Sequence, residues 1–529
     1  MMSTANKTVD YIVVGAGSSG AVVANRLSAD PRNEVVLLEA GPEDKNKFAH
    51  IPAAFSKLFR SEVDWDYLSE PQPELRDRSI YWPRGKMLGG SSSMNAMMWV
   101  RGFAADYDEW AAQTDDSWAF ENVVGYFRKI ENIEGTTELD AGTDGPLVVS
   151  HQRSPRALTS SFLSGVEEAG YPVETANLPE PKGFSRTVVN QKRGARWSTA
   201  DAYLRPAKKR NNLTILTEAQ VTKVIFEGKA AVGVEYTSGG TTHTVRAHKE
   251  VILSGGAVNT PQLMMLSGIG DQEHLRSHGI TVQHHAPGVG QNLLDHLAAL
   301  IGWKTESDSL FHAEKIPELL NYLARRRGML TSNVAEAYGF IKSREDLALP
   351  DVELIFGPAP FFDEGLIAAD AHAAVIGAVL LKPESRGEIT LRSADPMAKP
   401  VVQPRYLSDP DGADRRAMLE GLRACVAISE TPSLKGMLGD IVRPRVPSNI
   451  SPADLLTEAL EQNAHTLYHP VGTARMGSDA NSVVDPELRV RGVERLRVAD
   501  ASVMPSIIRG HTHAPSVLIG ERAADLILR

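Results

Sequence analysis

The sequence predicts an α/β fold organised around a parallel sheet, and three features near the N-terminus predict it. Tyr11, Ile12, Val13 and Val14 form a short apolar run of the kind buried on both faces of such a sheet. The run ends in Gly15-Ala16-Gly17-Ser18-Ser19-Gly20, and the following AVVANRLSAD reads as a helix. A second apolar run, from Glu34 to Leu38, ends in Glu39.

Each glycine has its own task in such a unit. Gly15 allows a tight turn, Gly17 lets the backbone approach a pyrophosphate, and Gly20 lets helix and strand pack closely. The helix start then offers unpaired N–H groups and a positive dipole end to phosphates. Glu39 follows Gly20 at about 20 residues, where an acid can hydrogen-bond ribose hydroxyls. Strand, glycine turn, helix, strand and acid in this order describe a Rossmann-like dinucleotide site. The unit alone does not choose between NAD and FAD.

Composition sets the outer bounds. The chain has 529 residues, 42% hydrophobic and 23% charged, as expected of a globular protein of roughly two to four domains. Its net charge of −10 argues against a nucleic-acid binder, which would carry a basic excess. A short basic cluster, Lys208, Lys209 and Arg210, reads as a solvated turn. A single cysteine, Cys425, allows no intrachain disulfide and builds no zinc or iron–sulfur site; it reads as a buried apolar residue in the helical stretch RRAMLEGLRACVAISE. The N-terminus MMSTANKTVDYIVVGAG lacks the pattern of a secretory signal, and no apolar stretch is long enough to span a bilayer. A cytoplasmic protein is the expectation.

Further motifs recur along the chain. Residues 84 to 102 read RGKMLGGSSSMNAMMWVRG, a loop whose glycines and serines can press backbone against a planar ligand. Then follow SGGAVNTPQLMMLSGIG (254 to 270), APGVGQNLLDH (286 to 296), HTLYHPVGTARMG (465 to 477), LRVADASVMPS (496 to 506) and GHTHAPSVLIGE (510 to 521). In order and spacing, from residue 11 to about 525, these resemble the glucose–methanol–choline (GMC) oxidoreductase family, in particular its choline dehydrogenase and aryl-alcohol oxidase branches.

The resemblance implies FAD as cofactor. By position, Gly15, Gly17, Ser18, Ser19 and Gly20 would hold the pyrophosphate, and Glu39 the adenosine ribose. The loop from Gly89 to Met97 would wrap the flavin half, through Gly89, Gly90, Ser91, Asn95, Ala96 and Met97. Val221, in the strand-like TILTEAQVTKVIF, matches the residue whose backbone pairs with adenine. Asp500 and Ala501 match the motif that meets the ribityl and phosphate region, and His511 and Thr512 belong to the same cofactor-facing set. Some relatives carry a histidine in the flavin loop, in the pattern SSHN, and link it covalently to the flavin. Here the pattern is SSMN, and Met94 has no nucleophilic nitrogen, so the resemblance implies non-covalent FAD.

The cofactor motifs lie in separated blocks, 1–150, 195–300 and 463–529. The stretches 151–194 and 301–462 carry none, but show strand-like alternation in DVELIFG and GEITLRS and a helix in PELLNYLARRR. This interleaving predicts a discontinuous Rossmann-like FAD-binding domain with an inserted α+β substrate-binding domain carrying an antiparallel sheet. Pro383-Glu384-Ser385-Arg386-Gly387 fits the turn that precedes a strand of the second domain.

Alcohol oxidation removes a proton from oxygen and a hydride from carbon. The proton needs a base within hydrogen-bond reach, and histidine titrates near neutrality. Motif alignment makes His469 the catalytic histidine and His511 its partner, with His465 and His513 as flanking residues. His465 and His469 stand four apart, as in a helical metal pair, but Thr466 replaces the glutamate of HExxH and Pro470 disfavours helix, so no metal is expected. The reading is oxidation of a small primary alcohol to the aldehyde by hydride transfer to flavin N5, with electrons passed to dioxygen or a quinone. A hydroxynitrile lyase on the same scaffold and a non-catalytic flavoprotein are the alternatives. Glu336 reads as a surface or salt-bridged acid, with a place in the substrate cavity as the second reading. Trp303, Phe356 and Phe361 read as core, with the pocket wall as theirs.

Overall fold

A computed structural model of the chain describes residues 8–134 and 142–529. The opening residues of the N-terminal stretch read above for a signal lie outside the described residues. No helix among the described residues is long and apolar enough to cross a membrane.

Two seven-stranded sheets organise the molecule. In the first, Thr8–Val14 is central, flanked in parallel by Val35–Leu38 and by the C-terminal half of Thr241–Leu253. Leu213–Leu216 extends one side and Leu496–Val498 pairs with Thr241–Leu253, both in parallel. The N-terminal half of Thr241–Leu253 instead folds back on Ala230–Ser238, which pairs with Gln220–Glu227, so the far edge is an antiparallel meander. Val35, Val36, Leu37 and Leu38 are all buried, as the apolar run requires of a strand covered on both faces. The stretch TILTEAQVTKVIF is two strands, Leu213–Leu216 and Gln220–Glu227, on opposite edges of this sheet, and Glu218 between them takes a positive φ of 53°.

The second sheet is antiparallel, in the order Leu438–Arg443, Leu297–Thr305, Ala373–Leu380, Val352–Gly357, Ala337–Ile341 and Phe184–Arg186, with His465–Thr466 also paired to Leu297–Thr305. The helix Ala413–Ser429 packs on this sheet, with Cys425 buried in the shared core. Basic residues near 208 are not simply solvated: Lys208 pairs with Glu43, and Arg210 donates to the Asn25 carbonyl and Ser28 hydroxyl.

The C-terminal helix His513–Leu528 closes the first sheet by packing on Gly20–Leu27. Glu521, fully buried on it, takes a bidentate bond from Arg26 and another from Tyr203, so this buried charge is paired. That packing brings the last motif of the chain to the first.

Candidate active site

A deep cavity runs between the glycine turn of the first sheet and the inner face of the second. Gly15 takes φ 98°, and a Cβ there would strike the Ser254 carbonyl; a Cβ on Gly20 would strike the Gly15 carbonyl oxygen. Both positions exclude any side chain. At Gly17 a Cβ would meet only the Gly90 Cα at 3.9 Å, so this face of the turn is open to the cavity. Gly90, at φ 52°, holds its loop against the turn, and Gly89 donates its N–H to the Ala16 carbonyl at 2.8 Å.

The structure places most of the expected cofactor residues in the cavity lining. Gly15, Gly17, Ser18, Ser19, Glu39, Gly90, Ser91, Asn95, Ala96, Met97, Val221, Asp500, Ala501, His511 and Thr512 all line the cavity, as does Met94. Gly20 and Gly89 sit behind the lining and act through backbone packing. Several side chains are already committed to the protein. Ser19 Oγ donates to the Ser516 carbonyl at 2.6 Å and so does not cap the helix Gly20–Leu27, leaving the first N–H groups of that helix without a side-chain partner. Asp500 accepts from Ser502, from the Gly256 N–H at 2.9 Å and from Thr260 Oγ1 at 2.6 Å, tying the end of one motif to the start of another. Asn95 Oδ1 accepts from Arg196 and from the Met97 N–H, which fixes Met97 at φ 56°.

Glu39 accepts one backbone N–H on each carboxylate oxygen, from Ala16 and Gly41, both at 2.9 Å. Burial pushes its carboxyl up to about 7 despite these bonds. Each oxygen keeps a lone pair for a ligand hydroxyl. An open glycine face, an uncapped helix start and a buried acid with spare acceptors fit the pyrophosphate and ribose of a dinucleotide such as FAD.

His296, His469 and His511 pack against one another. His469 and His511 cross edge to face with ring centroids 4.8 Å apart, both nearly buried and both lining the cavity. The second sheet positions His469. Pairing of Leu297 with Thr466 and of Ala298 with His465 lays residues 465–467 beside the start of the strand. Leu467 N–H then bonds the His296 carbonyl at 2.8 Å, and His469 N–H bonds Asp295 Oδ1 at 2.8 Å. Tyr468 turns the chain at φ 68°, so His465 and His469 do not share a helix.

Sequence reasoning gave His296 no role, and the structure gives it one. Its Nε2 donates to the Leu381 carbonyl at 3.1 Å, so its Nδ1 is an acceptor, 2.9 Å from His469 Nδ1. His469 must therefore carry its proton on Nδ1 and present Nε2 as a bare acceptor. Burial, then the nearby His511, His296 and Arg84, hold His469 well below the usual imidazole range, and burial holds His296 at about 3. Both rings are neutral at neutral pH. Glu353, also missed, accepts from His511 Nε2 at 3.0 Å. The signal was present for both: a lone acid inside the apolar strand VELIFG, and a histidine ending GQNLLDH just before the apolar run LAALIGW, are polar groups in apolar surroundings, which need partners.

The flanking histidines are part of the wall itself. His513 Nδ1 sits 3.0 Å from Ser18 Oγ, linking the C-terminal helix to the glycine turn. His465 Nδ1 bonds the Thr466 carbonyl at 2.7 Å, while its Nε2, like Tyr468 Oη, is buried without a protein partner. Glu336 corrects both of its readings. It is fully buried and absent from the cavity lining, accepting from Thr159 Oγ1, Ser332 Oγ and the Arg156 N–H at 2.6, 2.7 and 2.7 Å. Phe361 joins the cavity wall; Trp303 and Phe356 belong to the core of the second sheet.

Around the histidine pair the wall is apolar. Ala298 and Leu300, Ile355 and Gly357, and Val375 and Val379 are alternate residues of three adjacent strands facing inward. Glu39 and Asp500 are the only carboxylates among the described lining residues.

Known proteins resemble this chain along most of its length. The N-terminal and C-terminal models of the GMC oxidoreductase family match residues 9–298 and 383–520. The chain is 62% identical to an uncharacterised GMC-type oxidoreductase of Mycobacterium tuberculosis over 98% of this chain and 99% of that one. It is 42% identical to an alcohol dehydrogenase [acceptor] of Pseudomonas putida, covering 98% and 96% of the two chains. The crystal structure of pyridoxine 4-oxidase from Mesorbium loti superposes with a TM-score of 0.87 at 29% identity, over 98% of each chain.

Proposed function

Because the chain belongs to the GMC oxidoreductase family, FAD-binding enzymes that act on CH–OH donors, we propose that it oxidises a primary alcohol to the aldehyde with His469 as base and His511 as partner. The observation that carries this reading is the bare Nε2 of His469, held beside His511 in the cavity wall by the His296 relay.

When bound, FAD would supply the acceptor for the hydride that leaves the alcohol carbon, with dioxygen or a quinone as the final electron acceptor. Gly15, Gly17 and the start of the helix Gly20–Leu27 would hold the pyrophosphate, Glu39 the ribose, and the loop through Gly90, Ser91, Asn95, Ala96 and Met97 the flavin half. Met94 offers no nucleophile for a covalent link, which supports a dissociable cofactor.

The alcohol hydroxyl donates to His469 Nε2, which takes its proton as the carbon loses hydride; the oxygen is left as the carbonyl. A neutral base is needed for this step, and burial keeps His469 neutral. His511, oriented by Glu353, stands on the second side of the hydroxyl, where its ring limits the rotation of the carbon. The apolar wall of the second sheet favours an uncharged substrate body: Glu353 and Asp295 are bonded to His511 and His469, and neither is among the described residues that line the cavity.

The deciding experiment is an anaerobic panel of alcohols, acids and cyanohydrins, followed by flavin absorbance. Bleaching by an uncharged primary alcohol, and reoxidation on admitting oxygen or a quinone, is the expected result. Cleavage of a cyanohydrin without bleaching would replace the reading with a lyase.

A further inference from the structure

The helix Ile316–Arg325 shows its apolar face to solvent. Ile316, Leu319, Leu320 and Leu323 recur at helical spacing and are 73%, 40%, 61% and 60% exposed. Only Tyr322 on this helix is buried, and Glu318 on the inner side accepts from the Met329 N–H at 2.9 Å. Four large aliphatic side chains in one stripe form a contiguous patch, which monomeric surfaces rarely keep uncovered.

A second apolar segment lies close by. Leu366 and Ile367 are 40% and 51% exposed. Both segments flank the short helix Pro52–Leu58: Lys57 on it pairs with Glu314 at 2.7 Å, and Ser56 lies against Gly365. Phe55 and Phe361, beneath these segments, line the cavity.

Charge identifies what covers the patch. The chain carries a net charge of −10, yet Lys315 opens the helix, and Arg325, Arg326 and Arg327 close it, all exposed. Among the described residues, no carboxylate pairs with any of these three arginines. Two copies of this face meeting about a twofold axis would crowd like charges together. An anionic lipid surface meets both the stripe and the arginines.

We propose that the helix Ile316–Arg325, with its arginine end and the segment bearing Leu366 and Ile367, seats this protein on an anionic membrane surface. The apolar stripe enters the boundary between headgroups and acyl chains, and the arginines meet the phosphates. The inference goes beyond the oxidation reading and does not depend on it.

The test is cosedimentation of the purified FAD-loaded chain with phosphatidylcholine vesicles, with and without phosphatidylglycerol. Binding to the phosphatidylglycerol vesicles that falls with added salt is expected. Each basic residue near such a surface contributes roughly fivefold, so the pair Arg325→Gln and Arg327→Gln should weaken binding by about 25-fold. The pair Leu320→Ser and Leu323→Ser should weaken it as clearly, while flavin content and folded stability in solution stay unchanged. Failure of the unaltered protein to bind, or wild-type binding by either variant pair, would overturn the proposal. A smaller oligomer for the leucine variant in light scattering would overturn it too, by assigning the stripe to self-association.

Discussion

His296 and His469 face each other through their Nδ1 atoms, 2.9 Å apart, and only one of the two nitrogens can carry the proton. The Leu381 carbonyl settles which, by claiming His296 Nε2–H. Replacing His296 with leucine removes the acceptor, freeing His469 to move its proton to Nε2, where it no longer accepts. Flavin reduction by the substrate should slow roughly 10- to 100-fold, part of the 10²–10⁴ that a positioned base provides. His296→Gln restores an acceptor oxygen and should recover most of the rate. A purely structural role would give equal losses for both variants, so stopped-flow reduction rates at matched FAD content decide the matter.

His469→Ala removes the base itself. Reduction of the bound flavin should fall by roughly 10²–10⁴, with FAD retained, because the nucleotide end of the cavity is untouched. Near wild-type reduction would remove His469 from the reaction.

Gly17 and Gly20 lie three residues apart in one turn but are glycine for different reasons. A side chain at Gly17 enters open cavity, whereas one at Gly20 enters the Gly15 carbonyl. Gly17→Val should therefore purify folded but colourless, with FAD-free stability within about 0.5 kcal/mol of the parent. Gly20→Ala should lose about 1–3 kcal/mol of stability whether or not FAD is added. Absorbance after purification and denaturant unfolding separate the two outcomes.

These contrasts mark what could be read from the chain alone. The glycine turn, Glu39 and the pair His469 and His511 carry local patterns of fixed spacing, and the structure brings nearly all of them to the lining of one cavity. His296 and Glu353 were invisible as a pair to His469 and His511 because their partners are 173 and 158 residues away, joined only by the register of the second sheet. Glu336 was misread because an isolated acid resembles a surface group; only the fold reveals three donors around it. The strands on opposite edges read as one stretch for the same reason, since strand pairing is set by tertiary contacts and not by local preference.

His513 ties the C-terminal helix to the glycine turn, and its protonation state couples that tie to pH. Burial, reinforced by the Arg196 charge, lowers its imidazole to about 4, against roughly 6.5 in an unfolded chain. Above 6.5 both states hold the ring neutral, and the stability that the neutral ring contributes is complete. As the pH falls below 6.5 the unfolded chain binds a proton that the native chain refuses, and stability drains away until the folded value near 4 is reached. The slope approaches roughly 1.4 kcal/mol per pH unit. His513→Asn keeps a polar partner for Ser18 but cannot titrate. The stability difference between parent and variant should therefore shift in the variant's favour as pH falls from 6.5 to about 4, when read by denaturant unfolding at each pH. A difference that stays constant across that window would mean that His513 is protonated in the native protein or exposed to solvent.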